Sequence, residues 1–170
     1  MRAREGPGWI LASDEVLGPW AAYAAQSTNV GGVMSQYMLL VYEEEVDPAV
    51  QAERERELPM FVELHRSLRE AGLLVGVQRL HSVQSATSVR VRDGQTEITD
   101  GPFAVTKEVL AGYYILECAD LDEALQQAAR LPMLPWATVE VRPVMPADEW
   151  LRVAREAGAD LPDEAVEYLA

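Results

Sequence analysis

The stretch Gly112–Leu131, GYYILECADLDEALQQAARL, changes its hydrophobic period partway along. Gly112 to Ala119 is a short apolar run of strand formers, which reads as a buried strand. At Asp120 the pattern switches. Leu121, Ala124, Leu125 and Ala128 recur at three- and four-residue steps, the stripe of an amphipathic helix, with Asp120 placed as its N-cap. Pro132 and Pro135 end that helix.

The same grammar occurs earlier in the chain. QYMLLVY (Gln36–Tyr42) reads as a buried strand, and Asp47-Pro48 supplies an N-cap followed by proline at the first helical position. Pro59 interrupts this helix or begins a second one; Met60, Phe61, Leu64, Leu68 and Ala71 then mark an apolar stripe that Gly72 stops. LLVGVQRL (Leu73–Leu80) reads as a strand, and ATVEVRPV (Ala137–Val144) closes the set with period-two alternation. After Pro146 come one amphipathic helix and a short further helical turn.

Between these halves lies a hairpin whose register is fixed by its turn. Asp93-Gly94 is a favoured two-residue turn because both positions tolerate positive φ. Arg92 then faces Gln95, Arg90 faces Glu97 and Ser88 faces Thr99 on a polar side. Val91 faces Thr96, Val89 faces Ile98 and Thr87 faces Asp100 on the apolar side. The order from Met34 is strand, helix, strand, hairpin, strand, helix, strand. It predicts an α+β sandwich, a mostly antiparallel sheet with helices on one face. The other face needs a cover, and a second copy of the chain packed sheet to sheet supplies one, so a homodimer is expected.

Bulk properties narrow the function. The 170 residues suffice for one domain core without disulfides or metals. A formal net charge of −14 disfavours nucleic acid and anionic membranes as partners. A single cysteine, Cys118, excludes an intramolecular disulfide and a cysteine-rich metal site, and it reads as a buried, inert thiol. No apolar run is long enough to span a bilayer, and the start of the chain lacks a signal-peptide core, so a cytoplasmic location is expected. Residues 1–33 lack a clear period and end in a glycine-containing joint. They read as an N-terminal extension, disordered or created by a start codon chosen upstream of Met34; the alternative is a real arm packing Trp9 and Trp20 on the domain. The domain proper is expected over 34–146 and a helical tail over 147–170.

YMLLVY, GLLVGVQRL, ATSVRVRDG, TDGPFAVTKEVLAGYYILE, DLDEALQQAARLP and VEVRPV, in that order, resemble the YCII-related proteins of the DGPF subgroup from about Met34 to Val144. The resemblance implies a ferredoxin-like fold of the dimeric α+β barrel type, in small bacterial proteins of largely unassigned activity. Their genes often lie beside those of extracytoplasmic-function sigma factors. In the wider YCII group a His–Asp pair in a cleft has been proposed as an active site. Asp100 matches the motif aspartate; neither His65 nor His81 aligns unambiguously with the histidine.

The candidate site therefore centres on Asp100, either a turn residue held by backbone amides or a partly desolvated carboxylate suited to proton transfer. His81, either a loop residue or the partner of Asp100 in one cleft, is its candidate partner if Leu73–Leu80 lies beside the strand ending at Asp100. Lys107 is either solvated or orients an anionic substrate. Tyr113 and Tyr114 point to opposite faces, so only one can join a cleft with Asp100, and Thr87 faces Asp100 across the ribbon. His65 reads as a boundary residue beside the helix stripe. No nucleotide-binding, metalloprotease or serine-hydrolase motif occurs, and no metal or cofactor is expected. Two functions remain: metal-independent acid–base chemistry on a small molecule near Asp100, or a non-catalytic ligand-binding or regulatory module linked to a sigma factor.

Overall fold

The computed structural model describes residues 34–162 together with 165 and 167; the extension expected over 1–33 and part of the final turn lie outside the described residues. In chain order the elements are β1 (Ser35–Glu44), α1 (Pro48–Glu55), α2 (Leu58–Glu70), β2 (Leu74–Arg79), a 3-10 turn (Val83–Ser85), β3 (Thr87–Arg92), β4 (Gln95–Asp100), β5 (Glu108–Cys118), α3 (Leu121–Ala128), β6 (Ala137–Pro143) and α4 (Ala147–Glu156). Four strands form one antiparallel sheet in the order β2-β5-β1-β6. Each strand that opens a half, β1 or β5, is central, and the strand that follows its helix lies at an edge. This interleaving is the ferredoxin-like α+β arrangement.

The local signals act as the sequence requires. Asp47 Oδ1 accepts hydrogen bonds from the amides of Ala49 (2.9 Å) and Val50 (3.1 Å), capping α1. Pro59 sits in the first turn of α2 and so begins a second helix, and Gly72 ends it with φ +73°. Asp120 accepts from the amide of Glu123, whose carboxylate accepts in turn from the amide of Ala119.

Pairing registers show which residues share a face. Val141, Leu39, Tyr114 and Val77 form one cross-sheet row, and Val139, Val41, Gly112 and Arg79 form the next. The central residues of these rows are buried against Leu64 and Leu68 of α2 and Ala124 and Ala128 of α3. The alternate rows place Met38 beside Ile115 and Leu40 beside Tyr113 on the opposite face, where all four are half-buried. The stripe of α3 is narrower than its periodicity suggests, since Leu121 and Leu125 are nearly half exposed. Ala124 and Ala128, having almost no side chain, let the helix backbone approach the sheet.

The hairpin adopts the expected register, Thr87 opposite Asp100 through Arg92 opposite Gln95, with positive φ at Asp93 and Gly94. It forms a separate two-stranded ribbon and does not join the sheet. The neighbour of β2 is β5, and the 3-10 turn at Val83–Ser85 carries the chain away before β3 begins. The base of the ribbon is closed by the Gly101 amide donating to the Ala86 carbonyl (2.7 Å) and Ser88 Oγ donating to the Gly101 carbonyl (2.8 Å). Its apolar side is open in the single chain, with Val89, Val91 and Ile98 each about two-thirds exposed (64%, 66% and 68%).

Candidate functional site

Asp100, at the end of β4, is exposed, and its side chain has no hydrogen-bond or ion-pair partner among the described residues. The desolvation expected on the apolar side of the ribbon is therefore not provided by the described residues of this chain. Thr87, opposite it, is exposed as well. His81 follows β2 and lines a cavity of about 480 Å3, along with Glu45 and Ser82; Asp100 does not line it. In that wall Glu45 accepts hydrogen bonds from Ser82 Oγ (2.6 Å) and the Val83 amide (3.1 Å), pinning the loop beside His81. Lys107 pairs with Glu44 at 2.6 Å, and this contact raises its pKa. Its ammonium thus engages the end of β1.

A second cavity, of about 430 Å3, opens between the two N-terminal helices and the sheet, and its lining is mostly apolar. Gly112 contributes to its floor. A Cβ there would sit 2.6 Å from the carbonyl oxygen of Gln78, so close approach of β2 to β5 requires glycine. Two residues further, Tyr114 points to the helix side and is buried; Tyr113, of opposite strand parity, is half-buried, and both border the cavity. From α2, His65 reaches down to the same wall. His65 Nε2 lies 3.0 Å from the Tyr114 hydroxyl, and the rings meet edge to face at 5.5 Å between centroids.

This pair has a definite electrostatic character. Burial holds His65 below its ordinary pKa, assisted by the nearby Arg69 guanidinium, so the imidazole is largely neutral near pH 7. Burial pushes the Tyr114 hydroxyl up to about 12, so it keeps its proton. The hydrogen bond is therefore between two neutral groups. Either Tyr114 donates to Nε2, or Nε2–H donates to Tyr114, whose own proton is then directed elsewhere.

At the mouth stands an ionic cluster. The carboxylate of Glu43 lies 3.5 Å from Arg54 Nη1 and 3.4 Å from Arg79 Nη2, through different oxygens. Arg54 also stacks over Trp136, 5.5 Å from the ring centroid. Cys118 is fully buried, and burial, with Glu123 and Asp120 nearby, pushes its thiol up to about 11, a poor nucleophile. Among the described residues no cluster of three or more His, Cys, Asp or Glu is placed to hold a metal ion.

Of the residues singled out from sequence, Tyr113 and Tyr114 border the second cavity and His81 the first, whereas Asp100 and Thr87 line neither. Local sequence alone does not single out His65, Arg54, Glu43 or Trp136 as site residues. His65 and Tyr114 are 49 residues apart, so only the packing of α2 on β5 joins them. The available signal was the placement of His65 beside the stripe of Phe61, Leu64 and Leu68, together with the inward parity of Tyr114.

Comparison with known proteins places this architecture. The YCII-related domain profile matches residues 35–148. An uncharacterized protein of Rhizobium meliloti (strain 1021) is 39% identical over 112 residues, which is 64% of this chain and 90% of that protein. The match runs from the first residue of β1 into α4, through both cavities, and the chain therefore belongs to the YCII-related domain family.

Proposed function

We propose that this protein binds a small, largely apolar molecule in the cavity between its N-terminal helices and the sheet, and moves a proton on it. The observation that carries the reading is the 3.0 Å contact between His65 and Tyr114 on the wall of a mostly apolar cavity of about 430 Å3. A neutral imidazole is the form that accepts a proton, and a buried phenol is the form that donates one to a developing oxyanion. In this reading acid–base chemistry is centred on His65 and Tyr114 rather than on Asp100 and His81. This reading is tested by screening a metabolite mixture for thermal stabilisation of the wild type, His65→Gln and Asp100→Ala. Hits retained by Asp100→Ala and lost by His65→Gln support the helix-side cavity. Hits lost only by Asp100→Ala return the site to the DGPF motif.

A second reading, a regulatory or interaction module of the DGPF type linked to an extracytoplasmic-function sigma factor, draws support from the ribbon. Its Val89, Val91 and Ile98, with Phe103 and Val105 beyond, are apolar and exposed, as recognition surfaces are. We also propose a homodimer packed through the sheet face that carries Met38, Leu40, Tyr113 and Ile115. Light scattering at micromolar concentration gives twice the chain mass if so, and the monomer mass rejects the sheet-to-sheet assembly. A bacterial, cytoplasmic setting fits both readings; among the described residues no helix is long and apolar enough to cross a membrane.

A further inference from the structure

The unpaired edge of Arg54 gives the proposed ligand a chemical class. Arg54 is largely buried, with its side chain 15% exposed, and both of its polar contacts use Nη1: the Glu43 carboxylate at 3.5 Å and the Glu44 carbonyl at 3.4 Å. Its Nε and Nη2 have no partner among the described residues. Every fully buried polar side-chain atom there does have one, so these two nitrogens are not sealed in the core, and Arg54 lines the cavity that contains His65 and Tyr114. The guanidinium is held by the Trp136 ring, 5.5 Å from its centroid, and by the Nη1 contacts at one end. What remains is a two-donor edge, the geometry that pairs with a carboxylate through two parallel hydrogen bonds.

Resting on the cavity reading above, we propose that Arg54 holds the carboxylate of a small organic acid whose apolar, ring-sized body lies over Gly112 toward His65 and Tyr114. Several features favour a carboxylate over a more highly charged phosphate. Arg54 and Arg79 are balanced by Glu43 and Glu55 among the lining residues, so the lining carries no net charge and matches a singly charged group better than a dianion. The mostly apolar lining suits a hydrocarbon body and disfavours a polyanion. Arg79, shared with Glu43 and more than half exposed, can turn from that carboxylate to the ligand and close the mouth.

The test uses the full chain and two matched probe series, benzoate and phenylacetate against benzamide and phenylacetamide. Affinity is followed by NMR titration, observing the His65 imidazole signals. The wild type is expected to bind the acids at least about tenfold tighter than the amides, with shifts at His65. Arg54→Gln is expected to abolish that preference, bringing acid and amide affinities to within about twofold of each other. Arg54→Lys, which keeps a charge beside Glu43 but lacks the fork, is expected to lose most of it and provides the test if Arg54→Gln fails to fold. Equal binding of acids and amides, both shifting His65, overturns the role of Arg54 and leaves the cavity reading standing. No shift at His65 from any probe overturns both.

Discussion

His65 Nε2 and the Tyr114 hydroxyl lie 3.0 Å apart, joining the second helix to a central strand at the wall of an apolar cavity. The contact serves the fold as well as any chemistry, because Tyr114 is buried and its hydroxyl needs a partner there. Tyr114→Phe is accordingly expected to lower stability by about 1 kcal/mol, the ordinary net value of one hydrogen bond. It should also alter the His65 imidazole signals, which an effect on packing alone would leave nearly in place. Denaturant unfolding and histidine NMR of the variant measure both.

The pH dependence has a definite sign. His65 is held below its ordinary pKa of 6.5, so the unfolded chain takes up its proton first as pH falls. Stability from this group is fully present above about pH 6.5 and declines as pH falls from there through the folded value. His65→Gln is expected to flatten that part of the stability profile. An unchanged slope in the variant would show that His65 is not depressed.

Gly112 and Gly76 face the same substitution with opposite expectations. A Cβ on Gly112 meets a backbone oxygen at 2.6 Å, whereas on Gly76 the nearest atom is the end of the Ile115 side chain at 3.9 Å. Gly112→Ala should lower unfolding free energy by about 2 kcal/mol or more, since backbone must move. Gly76→Ala should stay within about 1 kcal/mol. Urea midpoints for the two variants provide the comparison.

Truncations separate the sheet from the ribbon. Leu116 is 1% exposed in the central core, so Leu116→Ala should cost about 2–5 kcal/mol. Val91 is 66% exposed on the ribbon, and Val91→Ala should change the stability of the chain by no more than about 0.5 kcal/mol. A large loss at Val91 would mean that the apolar side of the ribbon is covered in solution.

Asp47 caps α1 through two amides, so Asp47→Ala is expected to cost about 0.5–2 kcal/mol. Asp47→Ser should recover most of it, a result read from thermal unfolding of the three proteins.

Local chemistry was legible in the sequence because it acts over a few residues. Asp47, Pro59, Gly72, Asp93-Gly94 and Asp120 each set an element boundary, and the hairpin register followed from its turn alone. Alternation in GYYILEC put Tyr113 and Tyr114 on opposite faces, and the order of elements carried the α+β class. Long-range placement was decided by tertiary packing. Whether the hairpin joins the sheet depends on which strand takes the edge of β5, a competition between segments that no local pattern reports. For the same reason Asp100 and His81, each plausible from its local sequence, line no common cavity. His65 met Tyr114, and Arg54 met Glu43 and Trp136, only when two helices settled on one face of the sheet. Residue types and their periods determine the elements; which side chains share a cavity is set by how those elements pack.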